Sequence, residues 1–413
     1  MENDLRRLML DPNRIPLDRQ SLLADIARQA ASLGATCYLV GGFARDLLLN
    51  EFVDDFDVVV EGDAIKLGEA LVKQRGGKLI AHRKFGTAIW RVHENEAIDL
   101  ITARSESYRH AGALPTIKPS TIEDDLRRRD FAVNALAVRF DGDHLGEVLD
   151  PLDGRADLAQ GLIRVLHPRS FVDDPTRVFR AVRYEQRYGF NLHPDTAKLI
   201  NRESFETLSK LSGERIRHEF DLIFEEENFA RMLSRLNELG VFDLFAPRPP
   251  KFNEDYSGLI NSRPPAEFGV SAHRVLLGYS LWLMDLPANA IESISKRLRF
   301  TSELRNATLS AAQLKNDLPA LKDAKPSAWT MRLEKIPPLS VYAVWLISNA
   351  SALKEFLVKW RRIKANVTGD DLKVRGVPTG PRYKEILSQL RAARLDGEVK
   401  NEQEEDELLN ALL

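Results

Sequence analysis

The sequence has few of the features that mark secreted, membrane-spanning or disulfide-stabilised proteins. It contains a single cysteine, Cys37, which excludes an internal disulfide framework and a zinc site built from several cysteines. No apolar run approaches the roughly 20 residues that a membrane helix requires. The first residues, MENDLRRLMLDPNR, also lack the apolar segment of a secretory signal. These absences predict a cytoplasmic protein with no membrane contact.

Excess charge of one sign is absent as well. The formal net charge is −2, so composition alone does not indicate a nucleic-acid-binding protein. Arginines are nevertheless concentrated: residues 127–129 are all arginine, and six more lie between Arg164 and Arg187. A local basic surface can hold phosphate groups even when acidic residues elsewhere cancel the total.

Periodicity divides the chain into a mixed N-terminal part and a helical remainder. Helical spacing over 18–33 and Ala64–Arg75 alternates with strand signals, and beyond Pro151 the strand-like runs disappear. The strand signals lie at 37–40, Asp57–Val60, Lys78–Ala81, Ala88–Val92, Ala97–Thr102 and Ala135–Phe140. A proline-rich stretch from Pro247 to Pro265 predicts a long loop.

Three acidic residues in strand-like segments are candidate metal ligands. Asp55 and Asp57 project from the same face of a strand, roughly 7 Å apart at their Cα atoms, and Asp99 lies in a second apolar run. Carboxylate oxygens can hold hard cations such as Mg²⁺. A metal pair can activate an attacking hydroxyl and stabilise a leaving pyrophosphate. Asp-x-Asp alone is common in solvated loops. The neighbouring segments therefore decide whether this pattern indicates a metal site.

A glycine pair follows the first strand signal. Gly41 and Gly42 would let backbone N–H groups approach a triphosphate, and Arg45 adds a planar donor fork one turn later. No Gly-Lys-Ser/Thr follows, so the segment is not a Walker loop. A plain strand–turn–helix with a solvated Arg45 is the alternative.

A row of cations occupies one stripe of a predicted helix. Asp174 precedes Arg177, Arg180, Arg183 and Arg187, which recur at intervals of three or four. Such a row repels itself and favours an anionic partner, with surface ion pairing as the alternative. Helix capping is the alternative role of Asp174.

Several segments together resemble one family. LVGGFARDLLL followed by DDFDVVV resembles the head-domain signature of class II tRNA nucleotidyltransferases and bacterial poly(A) polymerases. Further blocks resemble the same family in order: RRRDFAVNALAV at 127–138, DPLDG at 150–154, FVDDPTRVFRAVRY at 171–184, GERIRHEF at 213–220 and GDDLKVRGVPTGPRYKEIL at 369–387. The resemblance spans most of the chain.

The resemblance implies an α+β fold: a polymerase-β-like nucleotidyltransferase head with a small mixed sheet, followed by an all-helical neck, body and tail. The implied boundaries are 1–141 for the catalytic head, 142–245 for the base-recognising neck, 246–360 for the body and 361–413 for the tRNA-binding tail. Two positions depart from the family pattern: Ala132 stands where Thr is usual, and Asp173 where Glu is frequent. Neither departure removes an implied role.

The resemblance also implies the site. Asp55 and Asp57 would bind Mg²⁺, with Asp99 as the third catalytic carboxylate. Gly42 and Arg45 would contact the triphosphate, and Arg129, Asp130 and Asn134 would read the ribose 2′-hydroxyl. Asp174 and Arg177 would hydrogen-bond the base edges of CTP and ATP, with Arg180 and Arg183 lining the same pocket. The implied nucleotide-binding residues are Gly41, Gly42, Arg45, Arg129, Asp130, Asn134, Asp174, Arg177, Arg180 and Arg183.

Base reading by protein side chains has a chemical basis. A carboxylate accepts from the exocyclic amine that cytosine and adenine both carry, and a guanidinium donates to a ring nitrogen or carbonyl. Uracil and guanine present the wrong pattern, which costs about 1–3 kcal/mol per lost hydrogen bond.

The predicted function is addition of CCA, or its terminal A, to the 3′ end of tRNA from CTP and ATP, with the acceptor arm as the bound partner. The segment Arg104–Glu123 corresponds to a flexible loop that CC-adding members of the family lack, which favours competence for the terminal A. An A-adding specialist or a poly(A) polymerase shares the same head. A non-catalytic RNA-binding module would have lost the carboxylates, and a small-molecule nucleotidyltransferase would not need the helical tail.

Overall fold

A computed structural model describes residues 2–51, 56–94, 96–107, 116–271 and 273–413, with only the backbone of residues 2–4. The chain divides into two compact units, Met1–Leu211 and Ser212–Leu413. This division falls within the predicted neck, 142–245, and the four-part domain division stays a prediction.

The first unit contains both strands and helices. Its strands are β1 Thr36–Val40, β2 Asp57–Glu61, β3 Lys78–His82, β4 Thr87–His93, β5 Glu96–Thr102, β6 Arg104–Ser107, β7 Thr116–Pro119, β8 Ala137–Arg139, β9 Val148–Leu149, β10 Leu162–Ile163 and β11 Asn191–Leu192. Its helices are α1 Glu2–Met9, α2 Leu17–Ser32, α3 Gly42–Leu48, α4 Ala64–Arg75, α5 Ile122–Arg127, α6 Gly154–Gln160, α7 Ser170–Asp173, α8 Arg177–Tyr188, α9 Pro194–Lys198 and α10 Arg202–Ser209.

A seven-stranded sheet forms the centre of this unit, in the order β3-β4-β5-β2-β1-β8-β9. The pair β2–β5 is parallel, whereas the other neighbours are antiparallel. The predicted small mixed sheet is therefore confirmed. Each strand predicted from the sequence is present, and β8 is shorter than predicted because a 3₁₀ turn at Ala132–Asn134 precedes it.

The two faces of the sheet bury different elements. Helix α4 packs against β3, β4 and β5, and Asp63 caps it by accepting from the backbone N–H groups of Ile65 and Lys66. On the opposite face, Val59 of β2 packs in a cluster with Ile122 and Leu126 of α5. Period-2 alternation places Asp57 on that same face, two residues before Val59.

Two differences from the sequence-based predictions concern short strands. The segment Arg104–Glu123, predicted as a flexible loop, contains the antiparallel pair β6–β7 and the start of α5. Residues 108–115 lie outside the described residues. Beyond Pro151, the two-residue strands β10 and β11 pair in parallel although no strand signal is visible there. Strands this short leave no periodicity to detect.

The described part of the second unit is helical, as predicted. Its α-helices are α11 Gly213–Glu225, α12 Phe229–Glu238, α13 Arg274–Leu283, α14 Ala288–Arg297, α15 Ser302–Leu321, α16 Pro326–Leu333, α17 Pro338–Ser348, α18 Ser351–Val358, α19 Gly369–Val374, α20 Pro381–Leu395 and α21 Glu402–Leu412. Phe220 and Phe224 of α11 pack against Trp282 of α13. Among the described residues of the whole chain, no helix combines the length and apolar character needed to cross a membrane.

Candidate active site

The glycine pair and Asp57 lie at one edge of the sheet. Strands β1 and β2 are antiparallel, with Leu39 opposite Val58, so β1 ends where β2 begins. Gly41 follows β1 directly with φ +60°, a conformation that favours glycine, and α3 starts at Gly42. The sequence-predicted glycine turn and its neighbouring carboxylate are thus brought together.

Asp57 and Asp99 form a pair of carboxylates on adjacent strands. They are Cα partners in the parallel β2–β5 ladder, so their side chains leave the same face about 4.8 Å apart along the sheet. Asp57 is half-buried and Asp99 is exposed. Two oxygen-donor side chains at this spacing suit a hard divalent cation. Asp55, the other predicted metal ligand, lies outside the described residues.

Arg129 lies over the glycine turn. A Cβ atom built on Gly41 would stand 2.7 Å from Nη1 of Arg129, closer than packed atoms approach. Any side chain at position 41 would therefore displace the guanidinium group. The absence of a side chain at Gly41 lets Arg129 approach the backbone of the turn.

Arg45 is buried, which corrects the alternative of a solvated side chain. It is 4% exposed, and its Nε and Nη2 donate to the two oxygens of Asp46 at 2.8 and 2.9 Å. Burial disfavours the charged form, but the hydrogen bond to Asp46 raises the pKa of Arg45 overall. The guanidinium carbon also lies 4.7 Å from the ring centre of Tyr188 and 5.4 Å from that of Tyr184.

Asn134 connects Arg45 to Asp130. Nη1 of Arg45 donates to Oδ1 of Asn134 at 2.7 Å, and Nδ2 of Asn134 donates to Oδ1 of Asp130 at 3.0 Å. Asn134 and Asp130 are both buried. The Asn134 amide therefore fixes the position of the Arg45 guanidinium relative to the Asp130 carboxylate.

Asp130 in turn binds helix α8. Its Oδ2 accepts from Nε and Nη2 of Arg180 at 2.7 and 2.5 Å. Burial opposes ionisation, but the Arg180 charge and the hydrogen bonds from Asn134 and Arg180 lower the pKa of Asp130 below its ordinary value. Arg180 therefore pairs with a protein carboxylate, and surface cation repulsion along the stripe is partly relieved.

The predicted base-reading residues lie at the start of α8. Oδ1 of Asp174 accepts from the backbone N and from Oγ1 of Thr176, the N-cap residue of α8, at 3.2 and 2.8 Å. Arg177 is 5% exposed; its Nη1 donates to Oγ of Ser170 at 2.6 Å and its Nη2 to the carbonyl oxygen of Arg128 at 3.0 Å. Asp174 thus helps to shape the helix start, as the capping alternative proposed. Arg183 is half-buried on the same helix.

Sequence reasoning missed the residues that hold Arg45. Asp46 adjoins it in the chain, and Tyr184 and Tyr188 continue the Arg180 row at intervals of four residues. The Tyr188 hydroxyl also donates to Oδ1 of Asp46 at 3.4 Å. The four-residue spacing places Tyr184 and Tyr188 on the same helix face as Arg180, and it is the sequence signal that could have identified them.

Comparison with known proteins identifies the family. Residues 37–164 match the family described as poly(A) polymerase head domain, and residues 189–251 match the probable RNA- and SrmB-binding site of polymerase A. The A-adding tRNA nucleotidyltransferase of Halalkalibacterium halodurans is 31% identical over 94% of this chain and 91% of its own length. The chain belongs to the family of tRNA nucleotidyltransferases and poly(A) polymerases.

Other members of the family support the whole-chain likeness. The A-adding tRNA nucleotidyltransferase of Geobacter sulfurreducens is 32% identical over 95% of this chain, which spans 47% of that protein's length. A CCA-adding enzyme solved as apo form II has a TM-score of 0.82 at 27% identity, with 99% of each chain covered. The Thermotoga maritima CCA-adding enzyme complexed with tRNA has a TM-score of 0.75 at 27% identity, with 98% of each chain covered. The predicted family and the predicted fold are both confirmed.

Replacing Asp130 by Asn tests the charge of this network. The variant should lose about 1–3 kcal/mol of unfolding free energy at neutral pH, towards the lower end because Arg180 is 37% exposed. A carboxyl whose pKa is lowered on folding contributes fully above its ordinary pKa of 3.8 and loses that contribution as pH falls below it. The difference between wild type and variant should therefore shrink towards about pH 3 in urea unfolding experiments.

The exposed carboxylate Asp143 supplies the control for this measurement. An Asp143→Asn variant should follow the wild type across the same range. A stability difference for Asp130→Asn that stays constant from neutral to acid pH would contradict the ionic role of Asp130.

Proposed function

We propose that this protein transfers nucleotides from CTP and ATP to the 3′ end of tRNA, completing the CCA end or its terminal A without a nucleic-acid template. In this reaction the 3′-hydroxyl of tRNA attacks the α-phosphorus of the nucleotide, and pyrophosphate leaves. The tRNA acceptor arm is the expected partner, and the cytoplasm is the expected location.

One observation carries the proposal. The carboxylates of Asp57 and Asp99 share one face of the sheet beside the Gly41 turn, over which Arg129 lies. Such an arrangement offers oxygen ligands for a cation next to a cationic donor for a polyphosphate. This combination is what nucleotidyl transfer requires, because that chemistry relies on charge stabilisation and positioning more than on a covalent nucleophile.

The family generally uses divalent metal ions, and we propose Mg²⁺ for this protein. Asp57 and Asp99 supply hard oxygen ligands, and Asp55 is the further ligand that the sequence pattern suggests. When bound, the metal supplies positive charge that favours ionisation of the attacking hydroxyl and departure of pyrophosphate. The acidic side chains of Asp57 and Asp99 would hold that charge at the edge of the sheet.

The protein's own polar groups would orient the nucleotide. Arg129, fixed over Gly41, offers guanidinium donors to the phosphates or to the ribose. Asp130 and Asn134 are hydrogen-bonded to one another, and their polar groups suit recognition of the ribose 2′-hydroxyl. Arg45 orients the Asn134 amide by a hydrogen bond to its oxygen. It can therefore act on the nucleotide through that amide as well as by direct contact.

Base selection is assigned to Asp174 and Arg177. A carboxylate acceptor and a guanidinium donor match the amine and ring nitrogen of adenine and cytosine. The hydrogen bonds from Arg177 to Ser170 and Arg128 support this role, because they restrict the guanidinium to one direction. Preorganised donors discriminate bases better than mobile ones, since no ordering cost is added on binding.

Addition of the terminal A alone is the second candidate. The A-adding tRNA nucleotidyltransferases of Geobacter sulfurreducens and Halalkalibacterium halodurans both exceed 30% identity along nearly the whole of this chain. The CCA-adding enzyme of Lactobacillus gasseri is 27% identical over 91% of this chain. The same head chemistry serves both reactions, so the substrate end rather than the mechanism distinguishes them.

Three trimmed tRNAs test the function and separate the two candidates. tRNA ending in the discriminator base, in C or in CC is incubated with Mg²⁺ and each nucleotide alone or with CTP and ATP together. Complete CCA addition should extend all three with the mixture, whereas an A-adding enzyme should extend only the CC end, with ATP. The Asp57→Asn variant should lose incorporation while keeping its fold, because it removes a metal-binding carboxylate.

The same assay can contradict the proposal. No incorporation into any of the three tRNAs, or long A tracts on unstructured RNA as readily as on tRNA, would exclude both tRNA-specific candidates. An Asp57→Asn variant with wild-type rates would exclude the metal assignment.

Asp174→Ala should weaken base choice more than transfer itself. Removing the acceptor for the exocyclic amine should lower discrimination against UTP and GTP by about 5- to 150-fold, the equivalent of 1–3 kcal/mol. The measurement is kcat/KM for each nucleotide on the tRNA that the wild type extends.

Thr176→Ala is the matched control, because it removes the hydroxyl that donates to Asp174 and leaves the Asp174 carboxylate in place. Loss of this hydrogen bond should cost about 1–3 kcal/mol of unfolding free energy and leave nucleotide choice unaltered. Equal loss of selectivity in both variants would show that Asp174 acts through the helix start, not on the base.

A further inference from the structure

The three consecutive arginines at 127–129 have different surroundings. Arg127 is exposed, whereas the side chains of Arg128 and Arg129 are 17% and 16% exposed. Arg128 donates to Oε1 of Glu106 on β6 at 3.0 Å, and Arg129 lies over Gly41. Of these two adjacent arginines, Arg128 therefore points to the β6–β7 hairpin and Arg129 to the proposed nucleotide site.

One carboxylate holds both buried arginines. Asp125 on α5 is 0% exposed and precedes them by three and four residues. Its Oδ1 accepts from Nε and Nη2 of Arg128 at 3.0 and 2.6 Å, and its Oδ2 accepts from Nη2 of Arg129 at 2.9 Å. Each oxygen accepts from one guanidinium, so the carboxylate fixes the direction in which each arginine side chain points after the end of α5.

Among the described residues of the surrounding cluster, the cations outnumber the anions by one. Arg104, Arg128 and Arg129 face Asp125 and Glu106, and Arg104 also donates to Glu106 at 3.1 Å. Nε of Arg129 is buried and has no hydrogen-bond partner among the described residues, and the same is true of Nε of Arg104. A buried, incompletely paired guanidinium is costly unless an anion approaches it. The cluster therefore suits a negative ligand, and Arg129 is its member that lies at the glycine turn.

We propose that Asp125 is a positioning residue that holds the Arg129 guanidinium over Gly41 for the incoming nucleoside triphosphate. Asp125 itself is fully buried and acts on the nucleotide only through Arg129. An arginine side chain released from such a restraint regains rotamer freedom and must be ordered again when nucleotide binds. The inference rests on the proposed function, which supplies the triphosphate.

The test is the Asp125→Asn variant, which keeps the shape of the side chain but removes its charge and one acceptor. We expect KM for ATP, and the dissociation constant of ATP measured without tRNA, to rise about 5- to 50-fold. The turnover number kcat should change by less than about threefold, because the loss affects ground-state and transition-state binding alike.

Asp157→Asn is the matched control for a purely structural effect. Asp157 is 1% exposed and accepts three hydrogen bonds from Arg164, which lies outside the proposed nucleotide contacts. Its variant should lose thermal stability as Asp125→Asn does, while KM for ATP stays within about twofold of the wild type. If Asp125→Asn does not fold, Asp125→Asn combined with Arg128→Met replaces it, since that pair removes one buried charge of each sign.

A double-mutant cycle with Arg129→Ala decides whether Asp125 acts through Arg129. Asp125→Asn should add little to the dissociation constant of ATP once Arg129 is gone. An unchanged dissociation constant in Asp125→Asn, or full additivity with Arg129→Ala, would overturn the proposal. If the wild type binds ATP but extends no tRNA, the proposed function fails, while the binding cycle still judges the role of Asp125.

Discussion

The buried carboxylate of Asp130 is the interaction on which the geometry of the site depends. It accepts from Arg180 on α8 and from Asn134, whose amide accepts from Arg45 on α3. Three segments far apart in sequence are thereby joined by hydrogen bonds between charged and polar groups. Because an unpaired member of such a network would be costly, each group constrains the position of the next.

This constraint separates the arginines of the site by role. Arg45, Arg128 and Arg177 donate hydrogen bonds to protein acceptors, which hold their guanidinium groups in place around the glycine turn. Arg129 also donates a hydrogen bond to a carboxylate, that of Asp125, but its Nη1 lies over Gly41, at the sheet edge that carries Asp57. Under the proposed function, nucleotide selection without a template would require rigid donors, and the buried carboxylates provide that rigidity.

The sequence allowed the sheet and its carboxylate edge to be predicted, because both follow from local rules. Alternation along a strand fixed the face of Asp57, and the strand around Asp99 was visible as an apolar run. The burial of Arg45 could not be predicted in the same way, since it depends on Tyr184 and Tyr188, which are more than a hundred residues distant. Neither could the different directions of Arg128 and Arg129, because consecutive identical residues carry no signal of their partners. Asp55 lies outside the described residues, so its place beside Asp57 stays a prediction.

A structure of the protein with ATP and Mg²⁺ would show whether the nucleotide and the metal ion bind at this edge of the sheet. We expect the triphosphate beside the Gly41–Gly42 turn with Arg129 in contact and a metal ion bound by Asp57. The Asp130–Arg180 and Asn134–Arg45 hydrogen bonds should be retained around the ribose. A nucleotide bound away from this sheet edge, or a metal ion with no ligand from Asp57, would contradict it.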